Sequence, residues 1–175
     1  AFPGSPVGAG IRCMLSSYRV PNALVEGYDV VVNKPKTAAY RAPGSPQAAF
    51  AGECVVDEIC ERIGMDPLEF RLKNAAKQGD HMVDGTAHRK LGAIETLQAL
   101  KDSPHYATPL KGPNQGRGVA MGFWFNGGGI SSCSIQVNAD GTVSLVEGSV
   151  DIGGTRAAVA MQAAEVLGLS AEEVR

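Results

Sequence analysis

Tyr40-Arg41-Ala42-Pro43-Gly44-Ser45-Pro46-Gln47 runs without a break into a stretch of helical period at 48–62, and then into Asp66-Pro67-Leu68-Glu69-Phe70-Arg71 with Asn74 close behind. The octapeptide is a loop by its chemistry: two prolines and a glycine punctuate it, and proline has no N–H to give to a helix interior. Beyond Pro46 the pattern changes. Ala48, Ala51, Val55, Ile59 and Ile63 recur at intervals of three and four, which puts them on one face of an α-helix. Glu53, Asp57, Glu58 and Glu61 fall mainly elsewhere around that helix. Gly64 suits a C-cap, and Asp66-Pro67 restarts the chain as a second helix through about Lys77, because aspartate caps and proline is tolerated at the first helical position.

Upstream, residues 1–10 are small and rich in glycine and proline and read as irregular or as an edge, and 11–20 fits helix or strand equally. Residues 22–33, with Val25, Tyr28, Val30, Val31 and Val32, read as an extended strand that delivers the chain to Arg41, since β-branched side chains favour a pleated surface. Downstream, 78–88 reads as a loop and 91–100 as a helix carrying Ile94, Leu97 and Leu100. Residues 109–118 form a connector rich in proline and glycine. Segments 118–125, 131–138 and 142–150 are strand candidates, with Asn138-Ala139-Asp140-Gly141 as the turn of an antiparallel hairpin. An alanine-rich helix at 157–167 follows. Strands and helices are grouped rather than alternating, so the expected class is α+β, mixed or antiparallel strands with packed helices.

The bulk composition excludes several functions. With 16 Lys and Arg against 18 Asp and Glu there is no basic surplus to attract nucleic acid, and no apolar run is long enough for a membrane span. The N-terminus lacks the plan of a signal peptide, and a cytoplasmic location is expected. Cys13, Cys54, Cys60 and Cys133 form no CxxC pair and have no histidine spacing suited to zinc, so reduced and mostly buried thiols are expected. The start at Ala1 and the running pattern into Arg175 lead us to expect a piece of a longer chain.

Three glycine-bearing turns could present backbone N–H groups: 42–44, Gly127-Gly128-Gly129, and Gly153-Gly154-Thr155. The last is best placed, because it separates a strand from a helix whose N-terminus attracts anions. Taken alone, Gly153-Gly154 could equally be a plain tight turn, and Gly127-Gly128-Gly129 suits a bulge or a close backbone approach better than a ligand cradle. Arg41 lies between a strand and a helix start, where a guanidinium fork can hold a carboxylate or an oxo group, although most loop arginines are only solvated. His81, His88 and His105 lack partners at metal-ligand spacing and read as surface residues. Phe123, Trp124 and Phe125 read as strand core. Ser131 and Ser132 lack the context of a nucleophile elbow.

Taken in order, the blocks resemble the molybdenum-cofactor-binding large subunit of the xanthine dehydrogenase and aldehyde oxidase family. They are Tyr18-Arg19-Val20-Pro21-Asn22 with Asn33, YRAPGSPQ with its two helices, Gly116-Arg117-Gly118-Val119-Ala120, and Asp140-Gly141-Thr142-Val143 through Asp151-Ile152-Gly153-Gly154 to Gln162-Ala163-Ala164-Glu165-Val166-Leu167-Gly168-Leu169. The resemblance implies that residues 1–175 are an internal fragment of a molybdopterin-binding domain. Residues 1–108 would supply a strand, the arginine loop and helices, and 109–175 the antiparallel strands, the glycine turn and a helix. It further implies that Arg41, with backbone at Ala39 and Tyr40, faces a molybdenum site and substrate channel, and that Gly153, Gly154 and Thr155 contact the pyranopterin. Two positions depart from the family pattern: Gly154 stands where a glutamine is usual, and Pro43 where purine-oxidising members carry a phenylalanine. The upstream glycine-rich segment and the downstream glutamate base have no counterpart in this stretch. The implied cofactor is a molybdenum pyranopterin in the full-length parent, with none retained by the fragment. The implied partners are the remainder of the molybdenum subunit, iron–sulfur and flavin subunits or domains, and a small-molecule substrate.

Two other readings stand beside this one. Asp151-Ile152-Gly153-Gly154-Thr155-Arg156 spells a phosphate-loop motif of the actin-like sugar kinases, which continues into a second strand. A non-catalytic α+β interaction module would make every glycine a turn and Arg41 merely exposed.

Overall fold

The order of elements is α1 (Val7–Met14), α2 (Ser45–Ile63), α3 (Pro67–Asn74), α4 (Ala93–Lys101), α5 (Pro104–Ala107), β1 (Cys133–Val137), β2 (Val143–Glu147) and α6 (Thr155–Leu167), then a single 3-10 turn at Ala171–Glu173. These come from a computed structural model that describes residues 6–35, 37–125 and 129–175. The chain divides into two compact units, Ala1–Phe125 and Asn126–Arg175. The class is α+β, as the grouping of elements predicts.

In the first unit α2 and α3 form the spine, and local chemistry sets their ends. Gly64 closes α2 in the left-handed conformation at φ 66°, its N–H bonded to the Cys60 and Glu61 carbonyls. The Asp66 carboxylate accepts from Leu68 N (2.8 Å) and Glu69 N (3.0 Å), which opens α3. Burial opposes ionisation of Asp66, but these amides and the Tyr106 hydroxyl outweigh it and hold the carboxyl below its ordinary range. α3 ends at Asn74, short of Lys77, because the Asn74 amide turns back to the Phe70 carbonyl (2.8 Å) and Ala75 goes extended. There the chain pairs with 17–19: Arg19 N donates to Asn74 O (2.8 Å) and Ala76 N to Ser17 O (3.0 Å). Leu68, Ala75 and Leu97 make the core, with Leu72, Ile94, Leu100, Tyr106, Val119 and Met121 packed around them.

The face that α2 buries is not the apolar one. Ala48 is buried as expected, but Val55, Ile59 and Ile63 are exposed, and Ser45, Glu53 and Cys60 lie inside with Ala48. An ion pair explains the rotation. Arg71 is fully buried, its Nε 2.8 Å from Glu53 Oε2, its Nη2 2.9 Å from Asp57 Oδ1 and its Nη1 donating to the Pro67 carbonyl at 3.0 Å. Glu53 also accepts from the Tyr18 hydroxyl on Oε1 and from Met121 N on Oε2 (2.7 Å). Burial alone would lower the Arg71 pKa, but the bonds to Glu53 and Asp57 outweigh it, so the guanidinium is held above its ordinary range. Tyr18 is pushed far up by burial first and by Glu53 second.

The same bonds account for a missing strand. Segment 118–125 has no ladder partner among the described residues; instead Met121 N meets Glu53, and the Phe123 carbonyl accepts from Ser45 Oγ at 2.6 Å. Side chains of α2 take the place of a neighbouring strand. Residues 22–33 are likewise not in a sheet, and Val30, Val31 and Val32 are exposed, because β-branched content favours a pleated surface only where a second strand supplies one. Residues 7–10 belong to α1 rather than to an irregular edge, which also settles 11–14 as helix; residues 1–5 lie outside the described residues. His88, expected on the surface, is buried edge-on against Phe123 (5.5 Å between centroids). Burial pushes its pKa down, against the Asp80 charge and a bond to the Ser16 backbone. All four thiols are free, but only Cys13 and Cys60 are buried; Cys54 and Cys133 are exposed.

The second unit is the predicted hairpin and helix. β1 and β2 pair antiparallel from Cys133↔Glu147 to Val137↔Val143. The turn closes through Asn138 N to Thr142 O (2.8 Å), with Gly141 at φ 84°. Gly168 (φ 70°) stops α6, and the chain returns beside β2, where Leu145 N donates to Arg175 O and Arg175 N to Val143 O, both at 2.7 Å. Val143 and Ala164 are its buried residues among those described.

Replacing Glu53 by Ala removes the buried partner of the Arg71 guanidinium and leaves it only the exposed Asp57 carboxylate, which costs up to about 3–5 kcal/mol. Urea denaturation of Glu53→Ala should show that loss. The double variant Glu53→Leu/Arg71→Met should recover most of it, because apolar replacement of both partners removes the unpaired charge.

Candidate functional site

The Arg41 loop is under backbone strain. Arg41 (φ 22°) and Ala42 (φ 57°) are non-glycine residues with positive φ, and Gly44 follows at φ 93°. An L-residue in the left-handed region costs about 1–2 kcal/mol. Such strain persists only where surrounding structure over-determines it, and it clusters at ligand sites. Here the clamps are visible. Ser45 N bonds Ala42 O (3.0 Å), Ala48 N bonds Gly44 O (3.0 Å), and Ser45 Oγ reaches the Phe123 carbonyl (2.6 Å). α1 presses from the other side: a Cβ on Gly44 would lie 2.4 Å from Pro6 O and 2.7 Å from Gly10 N. Only glycine fits at position 44.

So held, the loop lines a cavity of about 780 Å³. Tyr40, Arg41 and Pro43 form one side, Val7, Ile11 and Met14 of α1 another, and 25–28 a third. Gly27 permits that third wall, since a Cβ there would meet Ile11 and Val7 carbons at 2.5 Å. Of the backbone positions expected beside Arg41, Tyr40 lines the cavity and Ala39 does not. Arg41 is exposed and has no hydrogen bond or ion pair among the described residues, so its five donors are available.

In the second unit, the Gly153 turn differs from expectation. Its amides are not free: Asp151 Oδ1 accepts from Gly153 N (2.9 Å), Gly154 N (2.8 Å) and Thr155 N (3.2 Å). These amides, Gly153 first, hold the Asp151 carboxyl below its ordinary range. Gly153 (φ 111°) and Gly154 (φ 91°) supply the left-handed turn that makes the three donors converge. The turn thus has the geometry to hold an anionic oxygen, and the chain's own carboxylate occupies it. α6 begins at Thr155 directly after the turn, without the second strand that a kinase phosphate loop requires. Of the triple-glycine turn, Gly127 and Gly128 lie outside the described residues. His81, His105, Ser131 and Ser132 are exposed and lie in neither site.

Sequence reasoning missed the supports of the loop. Glu53, Arg71 and Ser45 position it without touching the cavity, and their partners at Tyr18, Met121 and Phe123 are distant in sequence. One signal was available: Glu53, Asp57 and Cys60 recur at helical spacing, a second face that competes with the apolar one.

Comparison with known proteins converges on one family. Residues 3–75 and 96–175 each match a family model described as molybdopterin cofactor-binding domain. The aldehyde oxidoreductase of Megalodesulfovibrio gigas is 31% identical over 147 residues, which is 78% of this chain and 16% of that protein. A putative xanthine dehydrogenase molybdenum-binding subunit of Escherichia coli K12 is 29% identical over 157 residues, 82% of this chain and 21% of the relative. The crystal structure of the aldehyde oxidoreductase from Desulfovibrio desulfuricans superposes with a TM-score of 0.75 at 27% identity, over 97% of this chain and 20% of that one. The chain therefore spans between 16% and 21% of the length of these relatives.

Gly44→Ala adds a Cβ into backbone and at positive φ, and should destabilise the chain by at least about 1–3 kcal/mol. Gly8→Ala, in α1 with open space around it, should instead stabilise by about 0.5–1 kcal/mol through helix propensity. Thermal melts of the two variants should move in opposite directions.

Proposed function

The chain belongs to the molybdopterin cofactor-binding domain family, and on that footing we propose that it forms a wall of the cofactor and substrate site in a molybdenum hydroxylase of the xanthine dehydrogenase and aldehyde oxidase kind. The parent enzyme would oxidise an aldehyde or heteroaromatic carbon with oxygen drawn from water. The observation that carries this reading is the strained loop that offers Arg41, unpaired, to an apolar cavity.

Residue chemistry supports two roles. Arg41, as the catalytic-site residue, and the Tyr40 backbone next to it suit an anionic group, because a guanidinium presents a rigid fork of donors. Pro43 gives the substrate channel an apolar, non-aromatic wall, which disfavours a purine held by ring stacking. At Gly153, Gly154 and Thr155, three amides converging on one carboxylate oxygen fit a cofactor phosphate, provided that Asp151 yields the position. When bound, the molybdenum pyranopterin supplies the two-electron oxidising centre; the residues of this chain bind, orient and screen.

The exposed apolar residues of α2, Phe50, Val55, Ile59 and Ile63, together with Val30, Val31 and Val32, fit contact with the remainder of the molybdenum subunit. In this reading, iron–sulfur and flavin subunits or domains carry the electrons away, in a cytoplasmic enzyme. No helix among the described residues is long and apolar enough to cross a membrane.

Affinity arithmetic sets the test. A helix N-terminus contributes about 0.3–1 kcal/mol to anion binding, whereas micromolar retention needs about 8 kcal/mol. Metal and pterin analysis should find molybdenum in a longer protein containing this sequence, expressed with its neighbouring subunits, and none retained by residues 1–175 alone. A longer protein without molybdenum would remove the hydroxylase reading and leave the interaction module. Stoichiometric molybdenum on the 175-residue chain would refute the energetic argument.

A further inference from the structure

The cavity beside the Arg41 loop has a charge pattern that selects among ligands. At about 780 Å³ it is of a size to take a small organic molecule. Its lining is apolar in most places, with Val7, Ile11 and Met14 facing Tyr28. Two residues of that lining are of charged type, Arg41 and Glu26. They make no ion pair with each other, and neither is bonded to any other described residue. An unpaired cation on an apolar wall is a recognition element for an anion. The unpaired carboxylate of Glu26, on another side of the same cavity, counts against a second negative charge.

From this pattern we infer that the cavity takes a small apolar compound bearing a single carboxylate, with the body against α1 and Tyr28 and the carboxylate on the Arg41 guanidinium. This ligand class rests on the reading above in treating the cavity as the substrate's. A bidentate guanidinium–carboxylate pair fixes orientation as well as adding affinity. The strained backbone at Arg41 and Ala42 keeps the base of that fork from wandering, so less freedom is lost on binding. Glu26 separates this class from dicarboxylates and from polyphosphates, both of which bring further negative charge into the same cavity.

The test uses the 175-residue chain and three probes of one shape: 1-naphthoate, 1-naphthalenemethanol and 2,6-naphthalenedicarboxylate. Ligand-observed NMR titration should show naphthoate binding about tenfold tighter than the neutral alcohol, the size of one charge-assisted pair. Arg41→Gln should bring the two to equal affinity, and Arg41→Lys should keep part of the preference, with circular dichroism confirming that both variants fold. Glu26→Gln should strengthen the dicarboxylate and leave the alcohol unchanged. Equal affinity for naphthoate and alcohol in the unaltered chain, or a preference that survives Arg41→Gln, overturns the inference. A chain that discriminates, beside a longer protein without molybdenum, keeps the ligand class and removes the hydroxylase reading. Molybdenum in the longer protein with no discrimination by the chain does the reverse.

Discussion

A single buried carboxylate, Glu53, takes the Arg71 guanidinium, the Tyr18 hydroxyl and the Met121 amide at once. Four stretches meet there: the segment after α1, the middle of α2, the adjoining α3, and 118–125, the first and last of them far from α2 in sequence. Burying an ion pair is expensive, and its attraction repays the cost only when every remaining donor is satisfied. Each of the three Arg71 nitrogens has a partner, since Asp57 and the Pro67 carbonyl take Nη2 and Nη1 where Glu53 takes Nε. Satisfying this network fixes which side of α2 faces inward. The apolar residues Val55, Ile59 and Ile63 are left outside as a consequence.

Once the rotation of α2 is set, so is the loop that feeds it. Ser45 is the first residue of α2 and bonds the Phe123 carbonyl, two residues along from the amide that Glu53 holds. Gly44, one step earlier, sits against Pro6 and Gly10 of the α1 region with no room for a side chain. The loop is thus anchored by three elements, which is enough to hold Arg41 and Ala42 at positive φ. A strained and unpaired arginine is an unfavourable arrangement in an isolated chain, and it makes sense as preorganisation toward a ligand. The family models that the chain matches are described as a molybdopterin cofactor-binding domain.

What could be read from the sequence was local. Asp66-Pro67 and Gly64 mark helix ends through bonds made within a few residues, and Asn138 to Gly141 closes a hairpin the same way. The α+β class and the Arg41 loop followed from such signals. The inward face of α2 did not, because apolar periodicity competed with an ion pair whose partners come from sequence positions far away. The strands expected at 22–33 and 118–125 failed for a related reason: composition favours an extended chain, but only a neighbour makes it a ladder. At the Gly153 turn the donors were located correctly and their acceptor was missed, although Asp151 lies only two residues before Gly153. The burial of His88 is not legible either, because nothing near it in sequence announces Phe123 as its neighbour.

Amide hydrogen exchange at Met121 tests the role of Glu53 most directly. Segment 118–125 has no strand partner among the described residues, so its amides should exchange quickly unless a side chain holds them. With Glu53 as the tie, Met121 is protected while Ala120 and Gly122 are not, and Glu53→Ala removes that protection. Met121 exchanging as fast as its two neighbours in the unaltered chain would contradict the assignment of Glu53 as the point that holds the fold and its loop together.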